Sequence, residues 1–215
     1  MPEEHFFIKD GFKKEGSSFP SKIMQQQLIE EFFRESKIDP GLINFVEAHS
    51  TGTRLGDPEE VAAIDEVFCK NTNRTKPLPI GSVKSNMGHA EASSGVASIA
   101  KIVLTLESGK IPPNINFTGA REDVPAFSEG RMRVVTEIED LDGPFISMNS
   151  FGLGGANAHA LFKGVTKDKI NDGLPTDNLN RLVLWSGRTE QSVKSILDEV
   201  CKRPLDVEFL ALLQG

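Results

Sequence analysis

The sequence predicts an α/β fold built around an open sheet, and three observations carry that expectation. Residues 46–53 (Val-Glu-Ala-His-Ser-Thr-Gly-Thr) and 84–91 (Lys-Ser-Asn-Met-Gly-His-Ala-Glu) each read as a strand end, a histidine-bearing turn and a helix start. A glycine-rich block, Asn149-Ser150-Phe151-Gly152-Leu153-Gly154-Gly155-Ala156-Asn157, sits between two further apolar runs. Ligands of open α/β sheets bind at the carboxyl ends of strands, so histidines at two such ends point to one pocket.

The elements follow in order. Residues 1–19 show no periodicity and hold turn residues at Asp10-Gly11 and Gly16-Ser17-Ser18. From Ser21, Ile23, Met24, Leu28, Ile29, Phe32 and Phe33 recur at helical spacing until Asp39-Pro40-Gly41 stops the helix. Residues 42–48 form a short apolar strand ending at His49. Asp57-Pro58-Glu59-Glu60 predicts a helix start, with Asp57 as N-cap and Glu60 as its capping-box partner, and the helix runs over 58–70. Residues 78–83 form the next strand and deliver Lys84 and His89. The helix over 91–108 is crowded with Ala, Ser and Gly, which predicts close packing at the centre of the domain, and Gly109 ends it. Strands are expected at 131–137, 144–148 and 158–162. Polar residues 164–180 form a linker. A fresh strand–turn–helix begins at Leu182-Val183-Leu184-Trp185-Ser186-Gly187, with helices at 190–202 and beyond.

Bulk properties exclude several function classes. At 215 residues the chain has room for one domain and part of a second. Its 38% hydrophobic content supports a buried core. A net charge of −7 gives no electrostatic reason to expect nucleic acid or an anionic membrane as partner. No apolar run approaches the ~18 residues of a membrane span. The N-terminus, Met1-Pro2-Glu3-Glu4-His5, lacks the basic start of a secretion signal, so a cytoplasmic location is expected.

Two histidines could also belong to a zinc hydrolase, but no His-Glu-x-x-His occurs and no metal site is expected. The glycine block could be a dinucleotide loop, yet it reads G-x-G-G-x-N and is followed by a strand rather than a helix. The two cysteines, Cys69 and Cys201, fall at helix ends, not at a strand-to-helix elbow where a helix N-terminus would stabilise a thiolate. His5 and His159 read as bystanders.

The two histidine segments resemble the histidine motifs of the β-ketoacyl synthases, and the glycine block resembles that family's loop, all three in the family's order. Asp10-Gly11-Phe12-Lys13, Phe19-Pro20-Ser21 and Gln27-Leu28-Ile29 resemble the animal-type fatty acid synthase, to which modular polyketide synthases are related. The resemblance implies a thiolase-like fold, with its C-terminal half over 1–163, a linker over 164–180 and a partial α/β linker domain over 181–215.

It further implies a decarboxylative Claisen condensation of acyl and malonyl thioesters. His49 and His89 would donate N–H groups to a thioester carbonyl, and Lys84 would pair with Glu60 behind them. Asp57 and Phe151 would support the site, the Phe151 N–H contributing to the oxyanion hole and its ring gating acyl entry. Thr51, Thr53, Gly152, Gly154 and Gly155 would receive the substrate on its phosphopantetheine arm. No cofactor is expected on the chain itself. The implied partners are an acyl carrier protein domain, the N-terminal half of the ketosynthase and, in the parent, a second copy as homodimer.

Two departures stand out: Ser50 replaces the glycine usual after the first histidine, and Leu153 replaces a second phenylalanine. Serine there strains the turn if φ is positive, or tightens it through its hydroxyl. The family's nucleophilic cysteine has no counterpart, so the chain alone is expected to be an inactive fragment of a fatty acid or polyketide synthase. The alternative is a non-catalytic remnant that binds a carrier domain or synthase subunit.

Overall fold

Ser21 opens the first helix, α1 (Lys22–Ser36): in the computed structural model of the chain its Oγ accepts from the Met24 N–H at 3.3 Å. The structure describes residues 6–11, 16, 19–165, 182–184, 186–203 and 206. The chain separates into two compact units, 1–165 and 166–215.

In the first unit, Asp39 accepts from the Gly41 N–H and winds Pro40–Leu42 into a 3-10 turn, which shortens the expected strand to β2 (Phe45–Glu47). Helix α2 (Gly56–Asp65) starts earlier than its sequence signal and runs on into a wider π turn, Glu66–Lys70. The expected capping box of Asp57 and Glu60 does not form. Thr53 Oγ1 accepts from the Gly56 N–H, Asp57 accepts from the Gly52 N–H, and Glu60 turns away toward His49. Then come β3 (Leu78–Gly81), the single-turn α3 (Lys84–Met87), and a 3-10 turn, Glu91–Ser93, leading into α4 (Ser94–Ser108). Gly109, at φ 66°, ends α4 in the left-handed conformation that glycine tolerates. Short elements β4 (Lys110–Ile111), α5 (Pro125–Ser128), β5 (Met132–Val134) and β6 (Glu139–Asp140) lead to the long strands β7 (Phe145–Phe151) and β8 (Ala156–Lys163).

One strand has no sequence signal. Phe6–Lys9 forms β1, antiparallel to β8 with Phe6 opposite His159 and Lys9 opposite Ala156. The main sheet runs β1-β8-β7-β2-β3-β5. Neighbours β7, β2, β3 and β5 are parallel, whereas β7–β8 and β1–β8 are antiparallel. The parallel centre places the ends of β2 and β3 side by side, which brings the two histidine turns together.

Each sheet face has its own core. Ile29, Phe32 and Phe33 of α1 pack with Val61, Ile64 and Phe68 over one face; Phe45, Ile102, Ile111, Ile146, Met148 and Phe162 fill the other. The close packing expected of α4 from its small residues is confined to one face of the helix. The helix buries the stripe Ser94, Ser98, Lys101, Ile102 and Thr105, and Val96, Ile99, Val103 and Leu104 face outward.

Between α4 and β2 lies a fully enclosed ion pair. Glu47 accepts from Lys101 Nζ at 2.7 Å, from the Val83 N–H at 2.7 Å and from Ser98 Oγ at 3.3 Å. Lys101 Nζ also stands 5.1 Å from the Phe45 ring centroid. Burial pushes the Glu47 carboxyl up, and Lys101 opposes that shift.

In the second unit, α6 (Glu190–Lys202) forms where expected, with Thr189 Oγ1 accepting from the Ser192 N–H at 3.1 Å. Residues 182–184 are not in a strand. Trp185, the body of the expected linker and the final apolar stripe lie outside the described residues. No helix among the described residues is long and apolar enough to cross a membrane.

Lys101→Met should lower the unfolding free energy by about 3–5 kcal/mol, because it strands a buried carboxylate. Urea denaturation checks this, and a loss below about 1 kcal/mol would show that Glu47 does not depend on the ammonium.

Candidate active site

The two histidine rings meet at the end of the parallel strands. Their centroids are 5.6 Å apart with planes at 84°, an edge-to-face pair, and the Phe151 ring lies 6.0 Å from His49. Three segments scattered along the chain thus converge on one place.

Each ring is held by its own turn. His49 follows β2, and Glu60 Oε1 accepts its backbone N–H at 2.8 Å while Oε2 accepts that of Ser50 at 2.7 Å. Ser50 has φ 25°, inside the left-handed region, and its hydroxyl also reaches Glu60 at 3.4 Å. Serine therefore both strains this turn and helps to tie it. On the other side, the Val83 N–H bonded to Glu47 fixes the start of the turn that carries Lys84 and His89. His89 Nδ1 accepts from the Glu91 N–H at 2.9 Å, so its proton sits on Nε2. Glu91 takes φ 47° to make this bond, so it closes the histidine turn before it opens a helix.

The expected Lys84–Glu60 ion pair is not formed. Every Glu60 partner is a donor on the His49 turn or Asn149 Nδ2, the last at 3.1 Å. The carboxylate's acceptor sites are taken, and the buried ion pair of this region is Lys101 with Glu47. Lys84 is buried and makes no ion pair among the described residues, and burial holds its ammonium pKa below the ordinary lysine value.

Burial, then the positive charge of Lys84, pushes the His49 pKa down to about 4. Its Nδ1 is buried and has no partner among the described residues. His49 is therefore a neutral imidazole with the positive charge of Lys84 near it. Two neutral rings set edge to face can direct N–H groups at one oxygen, the arrangement that stabilises a developing oxyanion.

A cavity of about 520 Å³ opens beside His89, walled by Thr51, Asp57, Lys84, Asn116, Phe117 and Arg121. Asn116 and Asn86 stitch its walls together through Ser85 O and Pro113 O. Thr51 lines this space, whereas the Thr53 hydroxyl is engaged at the α2 start.

The glycine loop is a tight hairpin between β7 and β8. The Gly152 N–H donates to Ala156 O at 2.7 Å and the Gly155 N–H to Gly152 O at 2.8 Å, so both are used internally, and Gly154 completes the turn. Gly155 is required by contact: at φ 81°, a Cβ there would stand 2.8 Å from Asp10 Oδ2. No helix N-terminus follows the loop to receive a pyrophosphate, which removes the dinucleotide alternative.

Cys69 is buried against Arg131 O, and burial pushes its thiol up to about 11. Cys201 is exposed on α6 of the second unit. Among the described residues no three His, Cys, Asp or Glu side chains are grouped to hold a metal ion. Sequence reasoning missed Glu47, Lys101 and Asn149, and took His159 as a bystander although it bonds to Asn149. A charge inside the apolar run Phe45-Val46-Glu47-Ala48 was the available signal.

Residues 4–118 match the family described as "Beta-ketoacyl synthase, C-terminal domain", and residues 121–215 match the "Ketoacyl-synthetase C-terminal extension". The chain is 36% identical over 214 residues to a highly reducing polyketide synthase of Aspergillus terreus, covering 90% of this chain and 8% of that protein. It is 31% identical over 200 residues to the polyketide synthase PksL of Bacillus subtilis, covering 87% of this chain and 4% of that protein. Among solved structures, the ketosynthase from module 6 of the bacillaene synthase of Bacillus subtilis superposes with a TM-score of 0.77 at 29% identity, over 98% of this chain and 37% of that one. The ketosynthase from module 1 of the bacillaene synthase of Bacillus amyloliquefaciens gives 0.71 at 34% identity, over 76% and 29%. The chain thus spans less than a tenth of those two curated synthases. Its mixed sheet is that of the thiolase-like ketosynthase fold, and the chain belongs to the β-ketoacyl synthase family as its C-terminal domain with the C-terminal extension.

Proposed function

We propose that this chain is the histidine-bearing part of a condensing enzyme that joins an acyl thioester to a malonyl thioester with loss of carbon dioxide. The observation that carries the reading is the edge-to-face pair of His49 and His89, 5.6 Å apart. As the bond between the malonyl α-carbon and its carboxylate breaks, the electron pair moves onto the thioester carbonyl as an enolate. Two N–H donors at that oxygen lower the barrier, and neutrality matters because a donor near pKa 4 spends pH 7 as imidazole. The enolate carbon then attacks the acyl carbonyl and the thiolate that held it departs. Lys84 supplies positive charge beside the rings.

Thr51, on the cavity wall, is assigned to the phosphopantetheine arm of a carrier, whereas the Thr53 hydroxyl and the Gly152 and Gly155 amides are engaged within the chain; Phe151, beside His49, is assigned as the gate. The thiol that holds the acyl chain is neither Cys69, buried and hard to ionise, nor Cys201 on a helix surface. It comes from the remaining portion of a ketosynthase. That portion is also the occupant assigned to the exposed face of α4, where Val96 and Leu104 are 68% and 64% exposed. The polyketide synthases named above favour a polyketide product; the N-terminal strings favour a fatty acyl one. The condensation is the same for both.

The chain supplied alone with acyl and malonyl carriers should give no ketoacyl product. Co-expressed with the N-terminal half of a related ketosynthase, it should gain condensing activity that His49→Ala abolishes. Product from the chain alone would overturn the assignment of the thiol. A well-formed complex that binds carrier but never condenses would favour the non-catalytic module.

His49 should titrate with a midpoint near pH 4 in imidazole carbon-13 NMR, against the ordinary value of 6.5. Because its folded pKa is depressed, the unfolded chain takes up the proton first. This group's contribution to stability is then intact above pH 6.5 and is lost as the pH falls toward 4. A midpoint near 6.5 would contradict the neutral-donor role.

A further inference from the structure

We infer that His159, which touches neither histidine of the pair, is a positioning residue for His49, acting through Asn149 and Glu60. Asn149 and Ser147 lie two residues apart on β7 and so share a face, and His159 is directly opposite Asn149 on β8. Ser147 Oγ is 3.0 Å from His159 Nε2, His159 Nδ1 is 2.8 Å from Asn149 Oδ1, and Asn149 Nδ2 is 3.1 Å from Glu60 Oε1. The chain of bonds ends at the two amides of the His49 turn.

The direction of every bond follows from one end. Glu60 is met only by donors, so it is the acceptor and Asn149 must present its NH₂ to it. The Asn149 carbonyl then faces the ring, which makes His159 Nδ1 the protonated nitrogen and leaves Nε2 to accept from the Ser147 hydroxyl. An imidazolium is disfavoured by the surroundings. The ring is 2% exposed and caged by Phe32, Phe33 and Phe68, with centroids at 5.0, 5.8 and 6.4 Å, and no carboxylate bonds to it among the described residues. Burial alone holds its pKa near 3.

The Asn149 amide is held from both ends, its NH₂ by the Glu60 carboxylate and its oxygen by a donor on the ring, and the second contact keeps the amide plane and reach that the first requires. A neutral histidine of one tautomer is such a donor. Without it, Glu60 loses the partner on its inner side and can rotate away from the strained Ser50 turn. The inference concerns how His49 is held, and its test reads that directly, whether or not the proposed condensation is correct.

Two measurements test it. Nitrogen-15 magic-angle-spinning NMR of the histidine-labelled chain should show His159 neutral and Nδ1-protonated from pH 5 to pH 8, values on the order of the ordinary histidine range. Hydrogen exchange read by mass spectrometry should show the His49 and Ser50 amides about tenfold faster in His159→Phe, which keeps the ring and loses the donor. The Val135 amide, bonded to Ile80 O, should stay unchanged as a control on general loosening. His159→Asn, whose amide nitrogen falls near the lost Nδ1, should restore slow exchange. The inference is overturned by an Nε2-protonated or charged His159, by unchanged exchange in His159→Phe, by equal acceleration at Val135, or by failure of His159→Asn to rescue. The NMR result stands on the unsubstituted chain and decides the case even where His159→Phe does not fold.

Discussion

The Glu60 carboxylate is the point on which the site depends. Two successive amides, those of His49 and Ser50, aim at it from a turn whose serine sits at φ 25°, a conformation an L-residue leaves unless something holds it. Adjacent N–H groups directed at one point form a small anion receptor, and here the anion is built into the protein. Glu47 plays the corresponding part for the second turn, binding the Val83 N–H just before Lys84. Each histidine is therefore carried by a turn that a buried carboxylate closes.

This arrangement sets the electrostatics of the site. Both carboxylates are spent on backbone amides and, for Glu47, on Lys101, and they act on Lys84 through their charge rather than through an ion pair. Burial first, then the ammonium of Lys84, keeps His49 neutral. A carboxylate bonded to the ring would have raised its pKa and favoured the charged imidazolium over the neutral ring. Burying these charges is costly, and the return is geometry: two rings edge to face at the ends of two parallel strands.

Much of this was legible in the sequence. The strand–turn–helix pattern located both histidines, the glycine block located the β7–β8 hairpin, and Ser21 and Gly109 marked helix ends as caps should. What was hidden depends on contacts between distant residues. Strand β1 carries no period and exists because β8 offers it an edge. The early start of α2 turns Glu60 from a capping partner into the support of His49. Lys101 looks like a surface residue in its helix and becomes buried only because Glu47 waits across the interface. His159 has no motif around it; its role comes from the register that sets it opposite Asn149.

The most direct test of the account is a crystal structure of the Glu60→Gln chain. Glutamine keeps the shape but replaces one acceptor oxygen with an NH₂ that cannot receive an amide proton. The account requires the His49 turn to relax, Ser50 to leave the left-handed region, and the His49–His89 centroid separation to grow beyond 5.6 Å. A Glu60→Gln structure with the turn, the serine and the ring pair unmoved would contradict it.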